Sequence, residues 1–454
     1  MPWVRGARWI QTLNGSRTFR ESAGNAAYST AEYIAQPLSM VLAAPYLVAR
    51  LGLQQYGIWM LVSAVLGSVG ILSTGFGDAT VKYVSAYRGR RDFEGVERTI
   101  RATLTINIAL GSLFAFVVWI ASPLAVHRIF KIESQFHTVS IQALRISALV
   151  LVIRSAESVF VSTLRAFERY GPAVKLNVVL RVGVTLSAVM LAASGRGIVS
   201  IMWATLTWSA LIVVLQAGAA RGVAGPFYVL PTLQRRALSE VFGFGCYSWL
   251  QALAAVVFGY ADRFIVAALL GTTPVAIYAL CIQVTQPIHS LGAAIFNFVF
   301  PHLSARHEAG DHCGSRRVFR AALFANITLA VFFCLPFVVV PKLLLRIWMG
   351  AEVAEKGWVV LQILAVSFAM LAINVVPHYT LLALGRVRLI AALNLVSGVL
   401  LTAVMTVLIL VVGLPGAALG RFIYAFLLVI PYLIVAWRAI QGNAMAPTAE
   451  AVQA

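Results

Sequence analysis

The chain has 454 residues, of which 60% are hydrophobic and only 11% are charged. Soluble globular domains carry about 25% charged residues, and so few charges cannot cover the surface of a soluble globule. These proportions exclude a soluble enzyme, a secreted domain and a disordered scaffold. They predict an all-α polytopic membrane protein.

The chain is strongly basic, with 35 Lys and Arg against 16 Asp and Glu and a net charge of +19. In a soluble protein this balance would suggest a nucleic-acid partner. Here the basic residues mostly lie in short gaps between apolar runs, where they set orientation, so no nucleic-acid partner is expected. The four cysteines form no CxxC or Cys/His metal spacing, and there is no Walker motif. We therefore expect no metal, no cofactor and no direct use of ATP.

Apolar runs of about 20 residues, the length that spans a bilayer, occur along most of the chain. Bounded by charges, Gly or Pro, they cover residues 26–49, 55–75, 103–124, 138–163, 173–194, 198–219, 241–262, 275–300, 319–341, 357–383, 389–412 and 416–438. The runs are too long for the strands of a membrane barrel and do not alternate. The sequence therefore predicts twelve transmembrane helices. Lys and Arg are concentrated before span 1 and after the even-numbered spans, which places both termini in the cytoplasm.

An internal repeat links the two halves of the chain. Residues 49–114 align without gaps with residues 268–333, at an offset of 219 residues. Apolar composition cannot explain the polar matches, which include Ser85/Ser304, Asp92/Asp311, Arg98/Arg317 and Asn107/Asn326. The repeating unit contains six spans, an even number, so both halves enter the membrane with the same polarity. Such a parallel repeat is typical of transporters that open a central cavity to each side in turn.

The repeat predicts two six-helix lobes with short flanking segments. The expected divisions are a basic cytoplasmic segment at 1–25, an N-lobe at 26–222, a cytoplasmic linker at 223–240, a C-lobe at 241–440 and a disordered cytoplasmic tail at 441–454.

Charges within the spans mark a candidate cavity, because a charge at mid-membrane costs at least about 2.5–3.5 kcal/mol and normally faces a partner or water. Arg154 and Glu157 lie three residues apart on span 4 and can pair, and Arg181 on span 5 lies at a similar depth. Guanidinium groups bind phosphate in a fork, so the arginines predict a cationic cavity for a diphosphate or an acidic sugar. The alternative is that Arg154 and Glu157 form a buried ion pair that only fixes helix packing. Arg145 is half a turn out of phase with Arg154 and cannot face the same cavity.

Other polar residues within or beside the spans complete the candidate set. Tyr28, Gln36 and Asn374 are predicted to line the substrate cavity. Candidates for ion coupling are Glu32, whose burial would favour the protonated form, together with Asp78, Asp262 and His378. Three of them have a local alternative. Glu32 could be satisfied at a polar helix end, Asp262 could form an interfacial pair with Arg263, and His378 could have a hydrogen-bonded packing role. No catalytic residue is predicted.

Two stretches resemble the polysaccharide transporter family, which contains the O-antigen and exopolysaccharide flippases of the multidrug/oligosaccharidyl-lipid/polysaccharide (MOP) superfamily. The stretches are LVARLGLQQYGIWMLVSAVLGSVGILSTGFGDATVKYVSAYRGRRD (47–92) and ADRFIVAALLGTTPVAIYALCIQVTQPI (261–288). The resemblance implies a V-shaped bundle of two lobes in the bacterial inner membrane. It also implies transfer of an undecaprenyl-diphosphate-linked oligosaccharide to the periplasmic leaflet by alternating access, driven by an ion gradient. The polysaccharide polymerase and chain-length proteins would be its protein partners.

Two other interpretations stay open at this stage. A multidrug or cation antiporter of the same superfamily would have a cavity dominated by acids. A membrane glycan polymerase or ligase would need a sizeable catalytic loop outside the membrane, whereas the longest outer loops, near 125–137 and 342–356, are short.

Overall fold

A computed structural model describes residues 3–225, 232 and 234–442, with the side chains before residue 37 and several others left undescribed. Every regular element in that part of the chain is helical, so the predicted all-α class is confirmed. The α-helices are α1 (Trp3–Gly89), α2 (Phe93–Leu124), α3 (His137–Ala166), α4 (Tyr170–Ala193), α5 (Ile198–Ala224), α6 (Arg235–Leu269), α7 (Thr272–Ile295), α8 (Val299–Glu308), α9 (His312–Val339), α10 (Pro341–Met349), α11 (Ala351–Ile373), α12 (Val375–Ala383), α13 (Val387–Val412) and α14 (Leu414–Gly442).

Within these residues, nine helical stretches are long and apolar enough to cross a membrane. They correspond to predicted spans 3 to 6 and 8 to 12. Predicted spans 1, 2 and 7 fall in α1 and α6, which are helical but contain many undescribed side chains, so the total of twelve stays a prediction. Large apolar side chains such as Phe116, Met190, Phe324 and Val411 are more than half exposed, as expected of a surface that faces lipid.

The helices break where the repeat predicts equivalent breaks. Helix α1 consists of two helical segments that meet in a kink at Gly52, where φ is 78°. Its repeat partner Gly271 separates α6 from α7, with φ of 97°. Positive φ recurs at the second pair of equivalent turns, at Arg91 and Gly310. Because L side chains rarely adopt this conformation, glycine at 52 and 271 permits both turns.

The repeat extends to atomic detail at the start of α2 and α9. Asp92 Oδ1 accepts a hydrogen bond from the backbone N–H of Gly95 at 2.8 Å. Asp311 Oδ1 accepts the same bond from Gly314, also at 2.8 Å. Each carboxylate therefore caps its helix by satisfying an N–H that the first turn leaves free.

The repeated asparagines hold neighbouring helices together. Asn107 on α2 is buried, and its amide donates to Ser158 Oγ on α3 at 3.0 Å. Asn326 on α9 is also buried and donates to the carbonyl oxygen of Ala372 on α11 at 2.7 Å. In both, the amide N–H group has a partner on a neighbouring helix, whereas Oδ1 is buried without a partner among the described residues.

The chain forms two compact units. The first contains Met1–Ala43, Val65–Ser122 and Ile141–Leu253, and the second contains Ala44–Ala64, Pro123–Ser140 and Ala254–Ala454. Two segments of the N-terminal half, 44–64 and 123–140, thus belong to the second unit. The sequence division at 26–222 and 241–440 stays a prediction about the lobes. The predicted tail from 443 onward lies outside the described residues.

Each unit has its own apolar core. In the first, Val84, Ile100, Phe160 and Leu164 are buried in one cluster contributed by α1, α2 and α3. In the second, a cluster that includes Phe296, Phe319 and Tyr432 joins α9 and α14 to the end of α7. Buried polar side chains such as Glu157, Gln216 and Asp262 lie among these apolar surfaces.

The 44–64 segment packs tightly within the second unit. Gly57 on α1 lies against the backbone of Thr272, and a Cβ at position 57 would overlap the Thr272 carbonyl oxygen. Next to this contact, the Gln283 amide donates to the Tyr56 hydroxyl at 3.0 Å. In the 123–140 segment, the Lys131 N–H donates to the Ala267 carbonyl oxygen at 3.1 Å.

We therefore expect Gly57→Ala to destabilise the second unit. The new methyl group meets backbone, which cannot rotate away, so the free energy of unfolding should fall by about 1–3 kcal/mol. Gly259→Ala is the matched control, because a Cβ there meets nothing within 4 Å and alanine favours the helix by up to ~1 kcal/mol. Thermal unfolding of both variants in detergent measures the difference. Equal midpoints for the two variants would contradict the close contact at Gly57.

Candidate functional site

A buried polar layer crosses the first unit. Gln216 on α5 is fully buried. Its amide donates to Asn177 Oδ1 on α4 at 2.9 Å and, more weakly, to Glu157 Oε1 on α3 at 3.5 Å. Three membrane-length helices are therefore joined through polar side chains in an apolar interior, where such bonds are electrostatically strong. We call Glu157, Asn177 and Gln216 the polar layer.

Two arginines lie on the same side of this layer. Arg154 precedes Glu157 by three residues on α3, and Arg181 follows Asn177 by four on α4. A short turn joins α3 to α4, so the two helices run in opposite directions. At 1.5 Å per residue, Arg154 and Arg181 lie ~18 Å and ~16 Å from that turn. The structure thus agrees with the prediction that they share a depth.

The polar layer retains hydrogen-bonding capacity. In the described part of the chain, Glu157 Oε2, Gln216 Oε1 and Arg154 Nε are buried without a hydrogen-bond partner. Buried polar atoms in native proteins are nearly always satisfied by protein, water or ligand. Two acceptors and a donor near one level of the first unit are therefore available to hydrogen-bond water or a polar ligand.

The sequence leaves open whether Arg154 and Glu157 form a buried ion pair. Among the described residues no ion pair joins them, and the Glu157 carboxylate is instead hydrogen-bonded to Gln216. The three-residue spacing permits the pair, but the carboxylate reaches α5, where a buried amide offers a donor. Arg145 lies over the ring of Trp119, at 5.3 Å from its centroid, which fits the prediction that it faces away from Arg154.

A buried ion pair forms a second polar cluster, within the second unit. The Asp262 side chain on α6 is 0% exposed and pairs with the guanidinium of Arg421 on α14. Asp262 Oδ2 also accepts from the Tyr278 hydroxyl on α7 at 3.1 Å. The predicted pairing of Asp262 with Arg263 is limited to the Arg263 backbone N–H, which donates to Oδ1 at 2.8 Å. The Arg263 guanidinium lies over the Tyr260 ring, at 5.3 Å from its centroid. The ion-pair partner of Asp262 is therefore Arg421 and not its neighbour in sequence, Arg263.

Aromatic and histidine side chains surround this pair. The Arg421 guanidinium carbon lies 5.0 Å from the centroid of the Phe368 ring on α11, a cation–π contact. His289 on α7 is within electrostatic reach of Arg421 and His378. The His378 ring stacks on Tyr432 at a centroid distance of 5.9 Å, which agrees with a packing role for this histidine.

The remaining sequence candidates are dispersed. Asn374 lies where α11 ends and α12 begins; it is buried, with Oδ1 unpartnered in the described residues. Asp78 is exposed on α1. The side chains of Tyr28, Glu32 and Gln36 lie outside the described residues. Arg154, Glu157 and Arg181 belong to the first unit, whereas Asn374, Asp262 and His378 belong to the second.

Sequence reasoning missed four residues that hold these clusters: Asn177, Gln216, Tyr278 and Arg421. A signal for Arg421 was available, because it falls within the predicted span 416–438, where a charge marks a partner or a cavity. Amides and hydroxyls carry a weaker signal, since they enter membrane helices at lower cost. No group of His, Cys, Asp and Glu side chains that could hold a metal occurs in the described ranges.

We expect Arg421→Met to destabilise the second unit, because it leaves Asp262 buried without its counter-ion. Breaking a buried ion pair from one side typically costs about 3–5 kcal/mol, whereas replacing both partners by apolar residues is often neutral. The double variant Asp262→Leu, Arg421→Met should therefore recover most of the loss in thermal midpoint. Arg346→Met, on exposed Arg346, is the control and should unfold like the unmodified chain. A double variant less stable than the single one would contradict the ion-pair account.

Comparison with known proteins was made on sequence and on structure. Residues 47–355 match the polysaccharide biosynthesis protein family. A protein of Shigella flexneri named "Putative O-antigen transporter" is 22% identical over 426 residues, covering 91% of this chain and 96% of that protein.

Two solved structures share the fold over most of both chains. An inward-facing multidrug resistance MATE family transporter of the MOP superfamily has a TM-score of 0.74 at 15% identity, covering 90% of this chain and 96% of that one. The lipid II flippase MurJ, in an inward closed conformation, has a TM-score of 0.75 at 12% identity, covering 90% and 87%. At these identities the structures show the fold alone. The family match confirms the resemblance to polysaccharide transport proteins that the two sequence stretches indicated, and the two solved structures share the fold.

Proposed function

This chain belongs to the polysaccharide biosynthesis protein family, and from that premise we propose that it is a flippase for a lipid-linked oligosaccharide. The proposed cargo is an undecaprenyl-diphosphate-linked glycan, carried from the cytoplasmic to the periplasmic leaflet of the bacterial inner membrane. The family match, the O-antigen transporter among its relatives and the membrane-length helices support this proposal.

The observation that carries the proposal is the placement of Arg154 and Arg181 at one depth beside the polar layer. A guanidinium presents five N–H donors in a rigid fork that matches phosphate and carboxylate oxygens. Arg154 Nε is buried without a partner in the described residues, so it has a donor to offer. The amides of Asn177 and Gln216 are of the type that hydrogen-bonds sugar hydroxyls. The layer therefore suits an anionic head with a glycan attached.

The charge at this depth favours a flippase over a cation antiporter. A cavity for cationic drugs should be dominated by acids, whereas the described charges here are two arginines against Glu157. A polymerase or ligase is disfavoured for another reason. The outer segments that precede α3 and α11 consist of short helices, including α10 (Pro341–Met349), and provide little room for a catalytic loop.

Transport is proposed to be driven by an ion gradient, as the chain has no Walker motif. Of the sequence candidates for coupling, Glu32 has no described side chain, Asp78 is exposed and His378 is stacked on Tyr432. Asp262 is the buried carboxylate with a charged partner. Proposed protein partners are the polysaccharide polymerase and chain-length proteins.

If the arginines bind the anionic head, Arg154→Ala and Arg181→Ala should each reduce glycan export at least about tenfold, because a charge-assisted hydrogen bond contributes roughly 1.5–3 kcal/mol. Lys at either position should restore export only in part, since an ammonium keeps the charge and loses the fork. Surface glycan in a strain lacking its own flippase measures export. Arg196→Ala, at an exposed turn, is the control with the same loss of charge. Normal export in both variants, at matched protein levels, would refute the cationic site.

The proposed orientation has a separate test. In a cysteine-free background, Arg90→Cys and Ala309→Cys should be protected from a membrane-impermeant maleimide in spheroplasts whose inner membrane is intact. Lys131→Cys and Glu352→Cys should react, because the positive-inside rule places these segments outside. Detergent lysis should expose the first pair. Labelling of Arg90→Cys in intact spheroplasts would reverse the proposed topology.

A further inference from the structure

The Asp262 carboxylate already holds a cation that belongs to the chain. Its Oδ1 accepts from the Arg263 N–H at 2.8 Å, and its Oδ2 accepts from Tyr278 at 3.1 Å and pairs with Arg421. With both oxygens engaged and the side chain 0% exposed, an external cation has no free oxygen to bind. Any exchange at this site must therefore begin with the guanidinium.

The guanidinium of Arg421 has donors to spare. Arginine has five N–H donors, and Arg421 Nε is buried without a partner in the described part of the chain. The side chain is 12% exposed, whereas that of Asp262 is 0% exposed. Its flat face rests on Phe368, so a further acceptor would approach in the plane of the guanidinium.

The groups around the pair set its charge balance. The titratable or charged side chains next to it are Arg263 on the same helix as Asp262, Tyr278 and His289 on α7, and Tyr424 on α14; His378 on α12 lies within electrostatic reach of His289. Among the described residues, Asp262 is the carboxylate within ion-pair distance of Arg421. In the described part of the chain, no second carboxylate is therefore placed to pair with Arg421 in place of Asp262.

We propose that an oxyanion of the substrate binds Arg421 in exchange for Asp262, and that Asp262 takes up one proton as it loses the guanidinium. A carboxylate left buried without its counter-ion is costly, and protonation removes that charge. In the forward step the oxyanion gains hydrogen bonds from the guanidinium, the ion pair breaks and a solvent proton binds Asp262. Release of the anion reverses each change.

This exchange would tie anion binding to a proton gradient. Because coupling between two ligands is reciprocal, protonation of Asp262 must strengthen anion binding by the same factor as the anion strengthens proton binding. Proton and anion would be bound together and released together. The identity of the oxyanion, a diphosphate or a sugar carboxylate, rests on the proposed flippase function, but the exchange itself does not require transport.

The test measures proton uptake by the purified full-length chain in detergent. Sulfate represents the diphosphate, and glucuronate represents the acidic sugar. Neither anion changes charge between about pH 6 and 8, so any proton that leaves the solution binds the protein. Addition of the effective anion to a weakly buffered sample should remove about one proton per saturated site from solution, read with a pH indicator. A response to sulfate alone indicates the diphosphate, and a response to glucuronate alone indicates an acidic sugar. No uptake with either anion would overturn the proposal.

Variants assign the proton to the pair. Asp262→Asn keeps a hydrogen-bond acceptor and the shape of the side chain but cannot take up the proton. The variant should therefore still bind the anion, while proton uptake falls to background. Arg421→Gln should lose both. Glu352→Gln, an exposed acid, is the control and should behave like the unmodified chain. Full uptake in folded Asp262→Asn or in folded Arg421→Gln would overturn the proposal.

Tyr278→Phe provides a milder variant that leaves both charges in place. The phenol donates to the ionised carboxylate, so its removal should change the amount of anion-dependent proton uptake measured at a fixed pH. Uptake identical to that of the unmodified chain would contradict the role of Asp262. The two proposals can be refuted separately. If Arg154→Ala loses glycan export but the unmodified chain shows no anion-dependent proton uptake, only this inference is refuted. If the unmodified chain takes up the proton but Arg154→Ala exports glycan normally, only the cationic cavity is refuted.

Discussion

The structure depends on the cost of leaving a polar group unpaired inside hydrocarbon. A backbone N–H or C=O exposed to lipid costs several kcal/mol, which explains why the described membrane segments are helical throughout. The same cost governs side chains. Asp262 is buried only together with Arg421 and Tyr278, and Gln216 is buried while donating to Asn177. Several turns use glycine or a capping aspartate, as at Gly52, Gly271, Asp92 and Asp311.

The sequence predicted the features that depend on length and composition alone. Apolar run length predicted most helices, and the polar matches of the repeat include Asp92 and Asp311, whose capping role only the structure shows. The side-chain partners were harder to predict, because spacing along one helix does not give its rotation against its neighbours. Arg154 and Glu157 are spaced to pair, yet Glu157 is bonded to Gln216 on another helix. Partners distant in sequence are fixed by packing.

The repeat separates polar contacts that maintain the scaffold from those specific to one half. Asn177 and Asn394 are each the eighth residue of their helices, α4 and α13. Gln216 and Tyr432 are each the nineteenth residue of α5 and α14. Asn177 accepts from Gln216 at 2.9 Å, and Asn394 accepts from Tyr432 at 3.0 Å. Each contact therefore joins two consecutive helices at the same positions counted from the helix starts.

The charged residues do not follow that rule. Arg154 is the eighteenth residue of α3, and the eighteenth residue of α11 is Phe368. Arg421 is the eighth residue of α14, and the eighth residue of α5 is Thr205. Counted in this way, each of the two arginines corresponds to an uncharged side chain in the other half of the chain. A buried charge carries a desolvation cost, and the proposed binding roles would account for the presence of Arg154 and Arg421 at that cost.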